Sequence, residues 1–167
     1  MVIIIFTLSF LMVFVITKSY KYVDQYYQTV LYVSLVSIIY PLICRGHMVW
    51  HFPDIGYFTD KANFLFQAIV LFPSTTVFFL RFLPRKVWSR VVYFLGFVGL
   101  YSAMEAFMVM RGEIIYKHGW NFGWSMFVDL CLFGLMWIHA RSWRLALFIS
   151  LCILTFLVLW FRVPMGG

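Results

Sequence analysis

Six apolar runs, separated by short polar connections, set the pattern of the chain. Each run approaches the ~20 residues that carry a helix across a bilayer core ~30 Å thick. None shows the strict alternation of a half-buried strand. The pattern predicts helices over about 2–17, 26–44, 62–83, 91–110, 122–139 and 145–161. The expected fold is all-α, a polytopic transmembrane bundle of six spanning helices in a single membrane domain, 1–167. The first run follows Met1 with no basic segment before it and no small-x-small cleavage pattern after it, so a retained helix is expected there. Thr59 is a candidate N-cap for the third helix, and Pro73 inside that helix predicts a kink with locally freed carbonyls. Ser34 and Ser37 in the second are expected to bond the i−4 carbonyls of their own helix.

Composition confirms the class. A chain that is 64% hydrophobic, 22% aromatic and 11% charged lies outside the range of soluble globular domains. The lipid bilayer is its expected surroundings, with a membrane-protein partner or a second copy as further candidates. The net charge of +7 does not indicate nucleic acid, because the Lys and Arg residues are scattered between apolar runs as a topology signal. Cys44, Cys131 and Cys152 show no CxxC spacing, so neither a disulfide framework nor a zinc site is expected, and no cofactor is implied.

Charge bias also predicts orientation. The connections after the first, third and fifth helices hold Lys18, Lys21, Arg81, Arg85, Lys86, Arg90, Arg141 and Arg144 against Asp24 alone. The other side holds Arg45, Lys61, Arg111, Lys117 and Arg162 together with Asp54, Asp60 and Glu113. The first group should be cytoplasmic and both termini extracytoplasmic. Trp88, Trp137 and Trp143 on the cytoplasmic side then serve as interfacial anchors.

Two carboxylates interrupt the apolar runs: Glu105 in the fourth and Asp129 in the fifth. Ionisable residues inside a span are costly and mark function by default. From the helical rise, they lie ~9 and ~12 Å below the outer boundary, and as members of one helical hairpin they can face each other. Asn63, Gln67 and Ser74 share one face of the third helix and enter from the same side. With His118, Trp120 and Asn121 from the connecting turn, Glu105, Asp129, Gln67 and Asn63 form the expected lining of a polar pocket in the outer half of the membrane. Each acid could instead satisfy one neighbour, Glu105 an Arg45, Arg111 or Lys117 and Asp129 the Ser125 hydroxyl at i−4.

That pocket suits a small polar ligand, an ion or a lipid headgroup. Glu105 is the candidate general acid or base should the protein be a membrane-embedded lipid-modifying or hydrolytic enzyme. A structural or partner-binding subunit is the third expectation. His47 and His51 have i, i+4 spacing, and with His118 they are weak metal-ligand candidates that require a helix where Gly46 and Pro53 oppose one. No G-x-S-x-G, G-x-G-x-x-G or P-loop pattern occurs, so nucleotide-driven transport by this chain alone is not expected, and a non-catalytic role is favoured over an enzyme, which stays open.

The stretch Ile115-Tyr-Lys-His-Gly-Trp-Asn-x-x-Trp-Ser125, with Phe72-Pro73, Leu83-Pro84, Glu105, Asp129 and His139, resembles a family of small six-helix integral membrane proteins from endospore-forming Bacillus and Clostridium relatives. Its Tyr-x-x-Gly-Trp-Asn motif is the most specific part. The resemblance implies a bacterial cytoplasmic membrane and six helices, and it brings no activity. Members commonly carry Asn where this chain has Asp129, which implies a hydrogen-bonding role at that position.

Overall fold

The computed structural model describes residues 2–44, 46–53 and 59–164. Among them the chain forms six helices. These are α1 (Val2–Ile16), α2 (Val23–Ile43, after a 3₁₀ turn at Ser19–Tyr22), α3 (Asp60–Arg81), α4 (Val87–Met110), α5 (Phe122–His139) and α6 (Trp143–Trp160). Five of these, α2 to α6, are long and apolar enough to cross a membrane, whereas α1 has 15 residues. The architecture is an all-α bundle of the polytopic membrane class, with α1 shorter than a full span. Arg45, one expected partner of Glu105, lies outside the described residues, as do Asp54 and both chain ends.

The connections alternate between two ends of the bundle. At the basic end, Arg81 donates to the Thr17 carbonyl at 2.5 Å and to Ser19 Oγ at 3.0 Å, and Thr29 meets His139 Nδ1 at 3.0 Å. At the opposite end, two segments far apart in sequence pair as short antiparallel strands, β1 (Trp50–His51) and β2 (Ile115–Tyr116), with Trp50 opposite Tyr116. Lys117 N–H extends the pairing to the Val49 carbonyl at 2.7 Å.

Helix α3 is central, with 61% of its apolar window buried against 6% for α6. It also carries the main irregularity. Its start follows the sequence expectation, since Thr59 Oγ1 caps the Ala62 N–H. Over Gln67–Leu71 the register becomes π-helical, and the Phe72 N–H reaches back to the Gln67 carbonyl. The next carbonyl in that register, Ala68, would be served by residue 73, but Pro73 has no N–H to give. Ser34 of α2 fills the gap, donating to Ala68 O at 2.8 Å. The expectation that Ser34 bonds its own helix is therefore corrected, while Ser37 does turn back on its own helix, to the Ser34 carbonyl at i−3.

The packed centre is aromatic. Phe79, Phe97 and Phe133 from α3, α4 and α5 lie with ring centroids 5.1–5.4 Å apart, and Tyr101 meets Phe133 edge-on at 5.1 Å. Between helices that lipid could otherwise solvate, such close packing and interhelical hydrogen bonds supply the cohesion.

Ser34→Ala should cost about 1 kcal/mol by orphaning the Ala68 carbonyl. The measurement is equilibrium unfolding in mixed micelles. Pro73→Ala restores an N–H, so the same serine change in that background should cost much less. Equal costs in both backgrounds would show that Ser34 does not serve this carbonyl.

Candidate functional site

The polar seam between α4 and α5 follows from helical spacing. Ser102 and Glu105 are three residues apart on α4, Ser125 and Asp129 four apart on α5, so each pair shares a face. The antiparallel hairpin turns these faces together. Ser102 Oγ donates to Asp129 Oδ2 at 3.0 Å, joining the helices. Asp129 is 9% exposed, while Glu105 is half-buried. Below the seam Tyr101 and Thr75 share a hydrogen bond of 2.5 Å that ties α4 to α3.

The β1–β2 pair supplies the roof. Tyr116 reaches from β2 onto Glu105, its hydroxyl donating to Oε1 at 2.7 Å. Burial foremost, then the hydrogen bond to Glu105, pushes the Tyr116 phenol well above its ordinary range. The Ser125 hydroxyl opposes that rise, while the charges of Glu105 and Asp129 add to it. Tyr116 therefore stays protonated and remains a donor at any physiological pH. Trp120 is buried beside it and donates from Nε1 to Ser125 Oγ at 2.9 Å. Tyr116, Glu105, Asp129, Ser102, Ser125 and Trp120 thus form one constellation.

Other expected lining residues fall elsewhere. Asn63 and Gln67 are buried, on the face predicted, but their amides bond carbonyls one turn back on α3, at Thr59 and Asn63, each at 3.4 Å. Neither shares a hydrogen bond with Glu105 or Asp129. Asn121 is the N-cap of α5, its Oδ1 accepting from Gly123 and Trp124 N–H at 2.9 and 3.3 Å. Its amide oxygen is committed to the helix end.

The histidines separate similarly. Residues 47–53 are not helical: Gly46 has φ 84°, and His51 lies in β1. The i, i+4 alignment is thereby lost. His118, exposed and left-handed at φ 54°, instead stacks on His47 with centroids 3.7 Å apart, and His47 Nε2 lies 3.2 Å from the Phe161 carbonyl. Among the described residues no three His, Cys, Asp or Glu side chains gather as a metal-ligand set.

Nor does Glu105 form the expected ion pair with Arg111 or Lys117. Among the described residues Arg111 approaches Glu113 at 3.8 Å, not Glu105, and Asp129 bonds Ser102 in place of Ser125. Neither seam carboxylate has a basic partner there. Tyr116 and Ser102 were missing from the expected site. Tyr116 begins the Tyr-x-x-Gly-Trp-Asn motif, and Ser102 lies one turn before Glu105, so motif and spacing were the available signals.

Comparison with protein-family models, with curated proteins and with solved structures finds no match. The site is accordingly defined by its geometry alone.

Glu113 ties the roof to α1 by accepting the Val2 N–H at 2.7 Å. Burial disfavours its charged form, but hydrogen bonding, the Val2 bond included, and the nearby Arg111 charge outweigh that and hold its carboxyl below the ordinary range. A depressed folded-state value means stability that is present above the unfolded carboxylate range and lost as pH falls through the folded one. Melting temperature in detergent should therefore fall on acidification, and Glu113→Gln should flatten that dependence. An unchanged acid slope in the variant would remove this role. Asn121→Ala should separately cost about 1 kcal/mol through the lost cap, read by the same unfolding assay.

Proposed function

We propose that this is a bacterial cytoplasmic-membrane protein that binds a small cation in the α4–α5 seam, with Glu105 as principal ligand. The observation that carries the reading is a pair of carboxyl groups without a basic partner. Two carboxylates share one seam, each held by a neutral hydroxyl, with no basic side chain paired to either among the described residues. Hydroxyl donors hold these carboxyl oxygens in place without supplying positive charge, and at low dielectric a carboxylate attracts a cation strongly. Glu105, half-buried, receives the ion. Asp129, bridged to Ser102, contributes field and joins the helices.

The resemblance to membrane proteins of endospore-forming bacteria supports the cellular setting. The basic connections on the opposite end support an orientation in which the seam opens outward and the basic loops face the cytoplasm. A non-catalytic binding role also suits a seam that holds carboxylates and hydroxyls but no activated nucleophile. The Ser102–Asp129 bond favours a second reading, in which the acids serve only to hold α4 against α5.

Purified protein in phosphatidylcholine vesicles, titrated with Na⁺, K⁺ or NH₄⁺ at constant ionic strength, should show a saturable change in tryptophan fluorescence, because Trp120 bonds within the seam. Glu105→Gln should abolish it while leaving the helical signal intact. Asp129→Asn should weaken it by about tenfold or less, since Asn can still accept from Ser102. A response that survives Glu105→Gln contradicts the proposal, and a Glu105→Gln protein that merely unfolds more easily, with no cation response in the wild type, supports the structural reading.

A further inference from the structure

At the basic end a groove of about 460 Å³ runs between α3, α4 and α5. Its walls are Phe79 and Leu83, then Val87, Val91, Phe94 and Leu95, then Gly134 and Ile138. That volume falls within the ~300–1,000 Å³ of small-molecule sites. Val87, Val91 and Leu95 are exposed, so the groove opens to the outer surface of the bundle, not to its core.

Its end differs from its walls. Trp137, expected as an interfacial anchor, forms part of the wall, and its indole N–H is buried without a hydrogen-bond partner. Two guanidiniums sit on that same ring, Arg90 at 5.4 Å and Arg141 at 4.7 Å from its centroid. Arg90 spends Nε and one terminal nitrogen on the Pro84 and Arg85 carbonyls. Neither arginine has a carboxylate partner among the described residues. Arg85, Lys86 and Arg144 are exposed nearby in sequence and add positive charge.

We infer that this groove binds one anionic phospholipid, its acyl chain along the apolar walls and its phosphate between Arg90 and Arg141. Charge complementarity selects the occupant. An apolar slot ending at two unpaired cations matches a hydrocarbon chain ending at an anion, and a zwitterionic choline lipid would bring a cation of its own to the same place. Holding α3, α4 and α5 together at this end, the lipid would act as a structural ligand on the face remote from the carboxylate seam.

The test uses the full chain in phosphatidylcholine vesicles doped with phosphatidylglycerol, with bromine placed on the acyl chains of one lipid or the other. Bromine quenches tryptophan on contact, and subtracting the signal of Trp137→Phe isolates the residue at the groove. Trp137 should be quenched at low mole fractions of brominated phosphatidylglycerol and far less by brominated phosphatidylcholine. Arg90→Gln or Arg141→Gln should each cut that preference about fivefold, the effect of one basic residue on attraction to anionic lipid. Gly134→Leu should abolish the quenching by occupying the groove, since Gly134 lines it and a Cβ there meets nothing within 4 Å. Equal quenching by the two lipids would reduce the groove to ordinary lipid contact and overturn the inference. So would a preference that survives both arginine changes, or Trp137 inaccessible to either lipid.

Discussion

A polar group inside a water-free bundle must find its partner within the protein, and that constraint sets how these helices fit together. Pro73 removes an N–H, the π register leaves Ala68 O bare, and a serine of α2 is fixed opposite it. Ser102 and Asp129 lock α4 to α5, Thr75 and Tyr101 lock α3 to α4, and Tyr32 and Ser150 lock α2 to α6. Apolar faces alone would tolerate sliding or rotation, because lipid solvates them nearly as well as a neighbouring helix does. A hydrogen bond between particular atoms does not.

Where the pairing is incomplete, the structure offers something to a ligand. At one end each seam carboxyl accepts a hydrogen bond from a neutral hydroxyl, and among the described residues no basic side chain pairs with either. At the other end Arg90 and Arg141 lie over Trp137 with no carboxylate partner among the described residues, beside a buried indole N–H without a hydrogen-bond partner. The two ends are thus complementary to opposite ions. Charge bias along the sequence distinguishes these two ends of the bundle, which are chemically distinct.

Much of the fold was legible because periodicity and hydropathy are local. The bounds of α5 agree with expectation, and Thr59 caps α3 as its position suggested. Helix α4 begins at Val87, not near Val91, because Arg90 can sit in the first turn and bond the Pro84 and Arg85 carbonyls. The site was legible only in part. Helical spacing placed Asn63 and Gln67 on a buried face but could not say which helix that face meets. The β1–β2 pair was not legible at all, since two-residue strands leave no periodic signal and pair across a long separation in sequence. That pairing is what drops Tyr116 onto Glu105. Asn121 precedes an apolar run, as N-caps do, so its structural role was available and outweighs a ligand role.

The central claim is that the Glu105 carboxyl group meets a cation in the seam. Infrared difference spectroscopy of the protein in vesicles, comparing cation-loaded with cation-free states, observes that carboxylate directly. The account predicts a shift in a carboxylate stretching band that vanishes in Glu105→Gln. A difference spectrum with no carboxylate band, or one unchanged by the substitution, would contradict it.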